Sequence, residues 1–354
     1  MRRLQDYRDT TVSIFRMNRY RLSVGILLIV AVLVVANLPR PSMASRKHLV
    51  IMVSGAAKIV YLPAILTQRL GYFRDEGLDV ELVSRPAGVD AENELLTGYA
   101  QGVVGFYDHT VDLQTKGREA RSIVVLSNAP GQLGLIAANT PRTAESMGDL
   151  RGYVLGVTGL GSSSGFLTRY LMSQQGQKPS DYTLVPAGAE ETFIRAVRDG
   201  HVDAGMTTDP TASLLVSTGQ ARPVLDLRTV DGTRAILGGT YPAACLYVQT
   251  EWLQANPDLA DKLVRAFVRT LRFLHSHTAE EIAQRLPPEY LGPNPRLYLK
   301  ALAIAQPAFS WDGRMPPDGP ATVQRILSVS NPSVRDGHVE LARTYTDEFV
   351  ASIR

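Results

Sequence analysis

The sequence repeats one local pattern at a separation of 100 residues, because the Pro-Ala-Gly of residues 86–88 returns at residues 186–188. An alternating apolar segment typical of a β-strand precedes each copy, at 78–83 and at 182–185. A short helical pattern follows each copy and ends at a glycine, and a second strand-like segment comes next. The repeat therefore predicts two α/β lobes of related topology.

Each predicted lobe also opens with the same unit. Residues 48–53 and 153–157 have the composition of buried strands, and each leads through a loop of small residues into a helix. In open α/β sheets, ligands bind beyond the carboxyl ends of the strands, where loops and helix N-termini gather. Two such lobes facing each other would enclose one cleft that both of them line.

Composition is that of a globular chain long enough for two domains. Of the 354 residues, 45% are hydrophobic and 20% are charged, which is normal for a protein with packed cores. The net charge of +3 comes from residues 1–44, which hold seven arginines and two aspartates. Because the remainder is slightly acidic, it offers no basic surface to a nucleic acid, and we expect no such partner.

An uncharged apolar run occupies residues 22–38, with arginines before it and small residues after it. This order is typical of an export signal, and we expect residues 1–44 to be removed so that the exported protein begins at Ser45. The alternative is an uncleaved membrane anchor, since the run is close to the length of a membrane span. We expect translation to begin at Met17, because the signal then has a charged region of typical length.

The Gly-Ser-Ser-Ser-Gly sequence of residues 161–165, the serine loop, lies between a predicted strand and a predicted helix. Backbone N–H groups at that helix start, together with Ser162, Ser163 and Ser164, would suit a carboxylate, sulfonate or phosphate. Alternatively, the serines only cap the helix. The same residues match G-x-S-x-G, the nucleophile elbow of α/β-hydrolases, so the alternative function is an esterase with Ser163 as nucleophile. No histidine lies in a recognisable catalytic setting to support it.

Further candidate ligand-binding residues lie on loops and helix starts that face the predicted cleft. They are Ser54, Lys58, Tyr61, Asp90, Tyr107, Asp108, His109, Glu190 and Asp209. Structural roles are the alternatives, since Asp108 and Asp209 could cap helices and Glu190 could favour a helix dipole. Lys58, His109 and the serine loop favour a small organic anion such as a sulfonate or carboxylate, with or without an aromatic ring, whereas the aspartates would favour an amine or a pyrimidine. No metal or cofactor motif is present, and we expect neither.

Several segments together resemble one protein family. They are Leu70–Leu82, the Asp149-Leu-Arg-Gly entry into Val154–Thr158, the serine loop, His201–Gly205 with Asp209-Pro210, and Tyr345–Phe349. Over residues 48–350 the chain resembles the substrate-binding proteins of nitrate/sulfonate/taurine-type ABC importers, also called the thiamine-pyrimidine-synthesis-like group. This resemblance implies an α/β periplasmic binding protein fold, type II-like, with two lobes, a hinge and a central ligand cleft.

The resemblance also implies a function and a location. The chain would be the periplasmic solute-binding component of an ABC importer, closing on a small solute and delivering it to a permease and its ATPase. We expect a monomer that meets the membrane only through its export signal or an uncleaved anchor. Eukaryotic relatives that make the thiamine pyrimidine use a cysteine-rich motif, whereas this chain has one cysteine, Cys245. We therefore expect that it is not an enzyme.

Domain boundaries follow from the repeat and the resemblance together. We expect an export signal at 1–44, the first part of lobe 1 at 45–140, lobe 2 at 141–238, and a return to lobe 1 with C-terminal helices at 239–354. The chain would cross between lobes after a strand at 133–138 and again near 238–244, and two short crossings are what a hinge requires.

Overall fold

A computed structural model describes residues 47–140 and 144–353, so the expectations for the export signal, Met17 and Ser45 lie outside the described residues. The strands are β1 (Lys47–Val53), β2 (Leu78–Ser84), β3 (Gly102–Phe106), β4 (Ala120–Val125), β5 (Gln132–Ala137), β6 (Val154–Val157), β7 (Thr183–Pro186), β8 (Ala204–Thr208), β9 (Ala221–Leu227) and β10 (Ala244–Gln249). They form two five-stranded sheets, which confirms the predicted α/β class.

The two sheets share one topology. The first has the order β2-β1-β3-β10-β4 and the second the order β7-β6-β8-β5-β9. In each sheet the opening strand, β1 or β6, pairs in parallel with two neighbours from its own half. One antiparallel strand, β10 or β5, then separates the third strand from the edge strand. The 100-residue repeat in the sequence thus corresponds to two sheets of the same topology.

One strand lies in a different sheet from the one that the sequence predicts. The strand expected at 133–138, inside the first part of lobe 1, is β5, and β5 pairs with β8 and β9 of the second sheet. All six of its residues are buried. Its apolar composition is typical of a central strand, but it does not indicate which of the two sheets the strand joins. The chain therefore passes to the second sheet between Val125 and Gln132 and returns between Leu227 and Ala244.

The helices cover the faces and ends of these sheets. They are α1 (Leu62–Arg69), α2 (Tyr72–Asp75), α3 (Gly88–Leu96), α4 (Asp108–Thr115), α5 (Ser163–Gln174), α6 (Glu190–Arg198), α7 (Thr211–Ser217), α8 (Val230–Leu237), α9 (Thr250–Ala255), α10 (Pro257–Ser276), α11 (Ala279–Ala283), α12 (Pro295–Ala305), α13 (Gly319–Ser330), α14 (Pro332–Asp336) and α15 (Glu348–Ala351). Within residues 47–140 and 144–353, none of them is long and apolar enough to cross a bilayer.

The helix α10 illustrates how the sequence forms these elements. Its apolar residues recur at helical spacing, and several of them are buried in the main hydrophobic cluster beside the first sheet, among them Leu263, Phe267, Leu271 and Leu274. The next helix, α11, starts at a capping box in which Thr278 and Glu281 bond each other's backbone N–H groups. These helices are packing elements that support the first sheet.

Candidate functional site

The candidate site lies where the carboxyl ends of strands from both sheets meet. Direct hydrogen bonds join the two halves there: Ser163 Oγ to Asp108 Oδ1 at 2.8 Å, Ile59 N to Asp209 O at 2.9 Å, and Val89 N to Ser162 Oγ at 3.4 Å. The donors and acceptors come from loops and helix starts that follow strands of the two sheets. The two halves are therefore in contact, and the cleft between them is closed.

Asp108 is the buried carboxylate at this junction. It begins α4 directly after β3, and the phenol of Tyr241 donates to its second oxygen at 2.6 Å. Burial raises the pKa of Asp108, while nearby His109 and the two hydroxyl donors oppose that rise. Tyr241 lies on the returning crossing between the sheets, so one carboxylate connects three segments of the chain.

Lys58 is the buried cation on the first-sheet side of the cleft. Its ammonium donates to the carbonyls of Ser54 at 2.7 Å and Pro86 at 2.9 Å. Burial lowers the pKa of Lys58 to about 8, with two nearby carboxylates, those of Glu190 and Asp90, partly opposing this. Gly55, three residues before Lys58, permits this arrangement. Its φ of 109° favours glycine, and a Cβ at this position would lie only 2.5 Å from the Lys58 side chain.

His109 takes part in a buried ion pair and does not contact the serine loop through a hydrogen bond. Its Nδ1 lies 2.5 Å from the Glu92 carboxylate, and its ring stacks on Tyr247. Burial by itself lowers the pKa of His109, but Glu92, with smaller contributions from other carboxylates, more than offsets this and brings the pKa to about 9. The Nε2 side of the ring has room because Gly88 has no Cβ, which would lie 2.6 Å from that nitrogen.

The three serines of the loop have different partners. Ser163 donates to Asp108, whereas Ser164 Oγ accepts from the Thr158 backbone N–H at 3.0 Å and contacts the Thr158 hydroxyl at 2.8 Å. Ser162 is the N-cap residue of α5, and its side chain bonds across the cleft to the α3 backbone instead of capping its own helix. The sequence presents the three as one group, but only Ser162 and Ser163 reach the opposite half.

Two candidate residues, Tyr107 and Asp209, form hydrogen bonds with residues that have structural roles. The Tyr107 hydroxyl lies 2.5 Å from that of Thr344 in the C-terminal segment, and burial raises the pKa of Tyr107 well above its usual range. The Asp209 carboxylate accepts from the Ser213 backbone N–H at 2.9 Å and from Arg228 at 3.2 Å. Asp209 thus satisfies an N–H group in the first turn of α7 from the position before the N-cap residue, Pro210, which is a structural role close to the expected cap.

The remaining candidates lie around the cleft without direct hydrogen bonds across it. Tyr61 is buried edge-on against Phe106, and burial raises the pKa of its phenol well above the usual range. Ser54 is buried, and its carbonyl accepts from the ammonium described above. Asp90 is half-buried in the first turn of α3, and Glu190 is exposed at the start of α6 with a φ of 53°.

The space enclosed at the cleft measures about 20 Å³, which is little more than one water-sized sphere. Three of its lining residues were not anticipated from the sequence: Gln132, Thr158 and Thr208. A polar residue at an end of an otherwise apolar strand, or just past it, is the signal that could have found them, because they lie at such positions on β5, β6 and β8. The full lining comprises Lys58, Tyr61, Gly88, Phe106, Gln132, Thr158, Ser162, Ser163, Ser164 and Thr208.

Gln132 brings an unsatisfied polar atom into the cleft. It is 4% exposed, and its side-chain carbonyl oxygen has no hydrogen-bond partner among residues 47–140 and 144–353. A buried amide oxygen without a partner is costly unless a ligand or water donates to it. The cleft therefore contains an acceptor that is available to a ligand.

The geometry does not favour the esterase alternative. Ser163 donates its hydroxyl to a carboxylate, and the nearby imidazole of His109 is bonded to Glu92. A serine nucleophile requires a base that accepts its proton and is itself oriented by a third group. In the part of the chain that the structure describes, no group of three or more His, Cys, Asp or Glu side chains could hold a metal ion.

Two sheets of this topology closing on one polar cleft define the periplasmic binding protein fold, which structural neighbours share. A family model described as NMT1/THI5 like matches residues 59–281, and the chain belongs to this family. The family resemblance seen in the sequence is thereby confirmed.

Solved structures are similar to the chain over most of its length. A protein of Bordetella bronchiseptica RB50 is 32% identical, with a TM-score of 0.82 over 87% of this chain and 96% of that one. The alkanesulfonate-binding protein SsuA of Xanthomonas axonopodis pv. citri, bound to MOPS, is 17% identical, with a TM-score of 0.65 over 86% and 99%. A ligand-binding component of an ABC-type import system from Staphylococcus aureus is 13% identical, with a TM-score of 0.66 over 87% and 99%. The last two show the fold alone.

A curated relative is named as an enzyme. The 4-amino-5-hydroxymethyl-2-methylpyrimidine phosphate synthase of Saccharomyces cerevisiae is 23% identical over 219 residues, which are 60% of this chain and 63% of the yeast protein. The match thus spans less than two thirds of that relative. The expectation that this chain is not an enzyme is therefore contradicted. A cysteine count cannot separate the binding proteins of a fold from its enzymes, since one cleft can hold a transported solute or a substrate.

Proposed function

We propose that the chain binds a small organic solute in the cleft between its two sheets, as the extracytoplasmic solute-binding component of an ABC importer. The structural neighbours support this role, because they include a ligand-binding component of such an importer and an alkanesulfonate-binding protein. A permease and its ATPase would then be the partners that receive the solute. Opening at the two crossings between the sheets would admit the solute. Closure around the solute would bury it in a wider form than the one described above, whose cleft encloses only about 20 Å³.

The observation that carries the proposal is the unpartnered side-chain oxygen of Gln132 inside a closed cleft. The Gln132 oxygen is buried beside Thr208, the residue that faces it across the β5–β8 pair. A solute donating to Gln132 would replace the water that this amide loses on closure, so binding and closure would favour each other.

The head group of the solute is proposed to be an anion. Lys58 donates only to backbone carbonyls, and among the described residues no carboxylate lies within ion-pair distance of its ammonium. A sulfonate or carboxylate would complete that site with a charge-assisted hydrogen bond, and the Ser162 hydroxyl would donate to the same anion. The Gln132 oxygen would accept from an N–H or O–H group elsewhere on the solute.

A calorimetric screen of alkanesulfonates, carboxylates and 4-amino-5-hydroxymethyl-2-methylpyrimidine tests the proposal, the last because of the fungal relative. We expect an anion to bind and the X-ray scattering profile to become more compact. For an anion that also carries an N–H or O–H donor, Gln132→Ala should weaken binding at least tenfold, whereas Gln174→Ala, at an exposed position of α5, should not. Binding of the pyrimidine without any anion would overturn the proposed class, and binding without compaction would overturn the closure mechanism.

A further inference from the structure

A second and larger cavity lies beside the cleft. Its volume is about 260 Å³. The first turns of α6 and α7, which belong to the second sheet's half, form one wall. Residues 289–298 form the other wall, and the buried Tyr298 among them packs in the hydrophobic cluster of the first sheet. Ala57 also lines the cavity, while its neighbour Lys58 lines the cleft. Both halves of the fold thus contribute to the cavity.

The body of this cavity is apolar and aromatic. Its large side chains are Ile194, Leu214, Tyr290, Leu291, Leu297 and Tyr298. Tyr298 is only 2% exposed, and its hydroxyl has no hydrogen-bond partner among the described residues. Tyr298 lines the cavity and its hydroxyl oxygen is not fully buried, so this hydroxyl is available to a ligand there.

The charge around the cavity has one sign. Glu190, Glu191 and Glu289 line it, and no lysine, arginine or histidine of the described residues does. Within those same residues, Glu190 and Glu289 form no ion pair, and Glu191 reaches Arg195 only at 3.8 Å. Two cations outside the lining oppose this negative charge in part: Arg69 acts at Tyr290, and Lys58 interacts with Glu190. An occupant that pairs with the unpaired carboxylates must be a cation.

We propose that this cavity binds a small organic cation, an ammonium group carried on an aromatic or branched apolar body. The body would be buried against the leucines and tyrosines, and the ammonium would pair with Glu190 and Glu289 and contact a tyrosine face. A volume of about 260 Å³ lies just below the range of pockets for drug-sized ligands, so the ligand is smaller than these. This site goes beyond the anion-binding role of the cleft, although the two are neighbours and share the charge of Glu190, which also acts on Lys58.

Calorimetry with 2-phenylethylamine tests the site, using 2-phenylethanol and 3-phenylpropionate as neutral and anionic analogues of similar shape. We expect the amine to bind at least tenfold more tightly than either analogue, because only the amine matches the carboxylates. The double variant Glu190→Gln/Glu289→Gln should weaken amine binding at least tenfold. Glu280→Gln, at an exposed glutamate of α11 that does not line the cavity, is the matched control and should leave the affinity unchanged.

The inference would be overturned by no measurable binding of the amine, by equal binding of the three probes, or by an unaltered affinity in the double variant. Gln132→Ala separates this site from the cleft. Amine binding that survives Gln132→Ala supports a distinct site, whereas its loss would place the cation in the cleft and overturn the second site. Circular dichroism melting of each variant verifies that it is folded.

Discussion

The Ser163 hydroxyl donates a 2.8 Å hydrogen bond to the Asp108 carboxylate, and the two residues lie on opposite sides of the cleft. Ser163 begins α5 in the second sheet's half, and Asp108 begins α4 after a strand of the first sheet. Because the carboxylate is buried, each hydroxyl that donates to it offsets part of its desolvation cost. This bond forms only when the two halves meet, so it stabilises the closed form.

Ser163→Ala is therefore expected to destabilise the closed form. The variant removes one donor from a buried carboxylate, and we expect the free energy of unfolding to fall by about 1–3 kcal/mol. Urea denaturation measures this difference. Ser162→Ala is the matched control, since its hydroxyl accepts only a long 3.4 Å bond from the Val89 backbone, and it should cost less than half as much. Equal effects of the two substitutions would contradict the role given to Ser163.

The His109–Glu92 pair predicts a fall in stability as pH rises. The pKa of His109 is about 9 in the folded protein, against an ordinary value of 6.5, so the folded state binds more protons between these values. The stabilisation is complete below pH 6.5 and is lost as pH rises towards 9, with a slope of at most about 1.4 kcal/mol per pH unit. Urea denaturation across this pH window measures the slope.

Glu92→Gln is the informative variant for this pair. It removes the carboxylate that raises the pKa of His109, so the wild-type advantage over the variant should shrink as pH rises. Glu94→Gln serves as the control, because Glu94 lies on the same helix but pairs with the partly exposed Arg85. If the wild-type advantage over Glu92→Gln stays constant with pH, the buried pair does not carry the charge described here.

The features that could be predicted from sequence are those set by local pattern. The 100-residue repeat predicted two related sheets, because strand alternation and glycine stops are properties of neighbouring residues. The serine loop was correctly placed between a strand and a helix, at the start of α5. The meeting of Ser163 and Asp108 at one cleft agrees with the rule that ligand sites gather at the carboxyl ends of strands.

Features set by long-range pairing could not be predicted. The placement of β5 in the second sheet depends on which edges its backbone meets, and an apolar run fits either sheet. The same limit applies to side chains: the sequence allowed Ser163 to be a nucleophile or an anion ligand, yet its partner is Asp108, 55 residues away. Gln132 was missed because its lack of a partner exists only in the folded cleft.

Gly205→Ala is expected to disrupt the second sheet. A Cβ at Gly205 in β8 would lie 2.5 Å from the carbonyl oxygen of Gly156 in the neighbouring β6, and a backbone atom cannot move aside cheaply. We expect a loss of about 3 kcal/mol in the free energy of unfolding. Gly156→Ala is the comparison, because its nearest atoms are side chains at 3.1 Å, and it should cost less. Denaturation curves that rank the two variants in the opposite order would contradict this packing.

Lys58 predicts a pH dependence of the opposite sign. Burial lowers the pKa of Lys58 to about 8 in the folded protein, against an ordinary value of 10.5, so the unfolded chain binds more protons between these values. The free energy of unfolding of the wild type, relative to that of Lys58→Met, should therefore rise with pH across this window, by at most about 1.4 kcal/mol per pH unit. Below pH 8 the difference should be flat. Urea denaturation of both proteins from pH 7 to 10 measures it, and a difference that stays constant throughout would mean that the ammonium of Lys58 is solvated and is not available as a buried charge for an anionic solute.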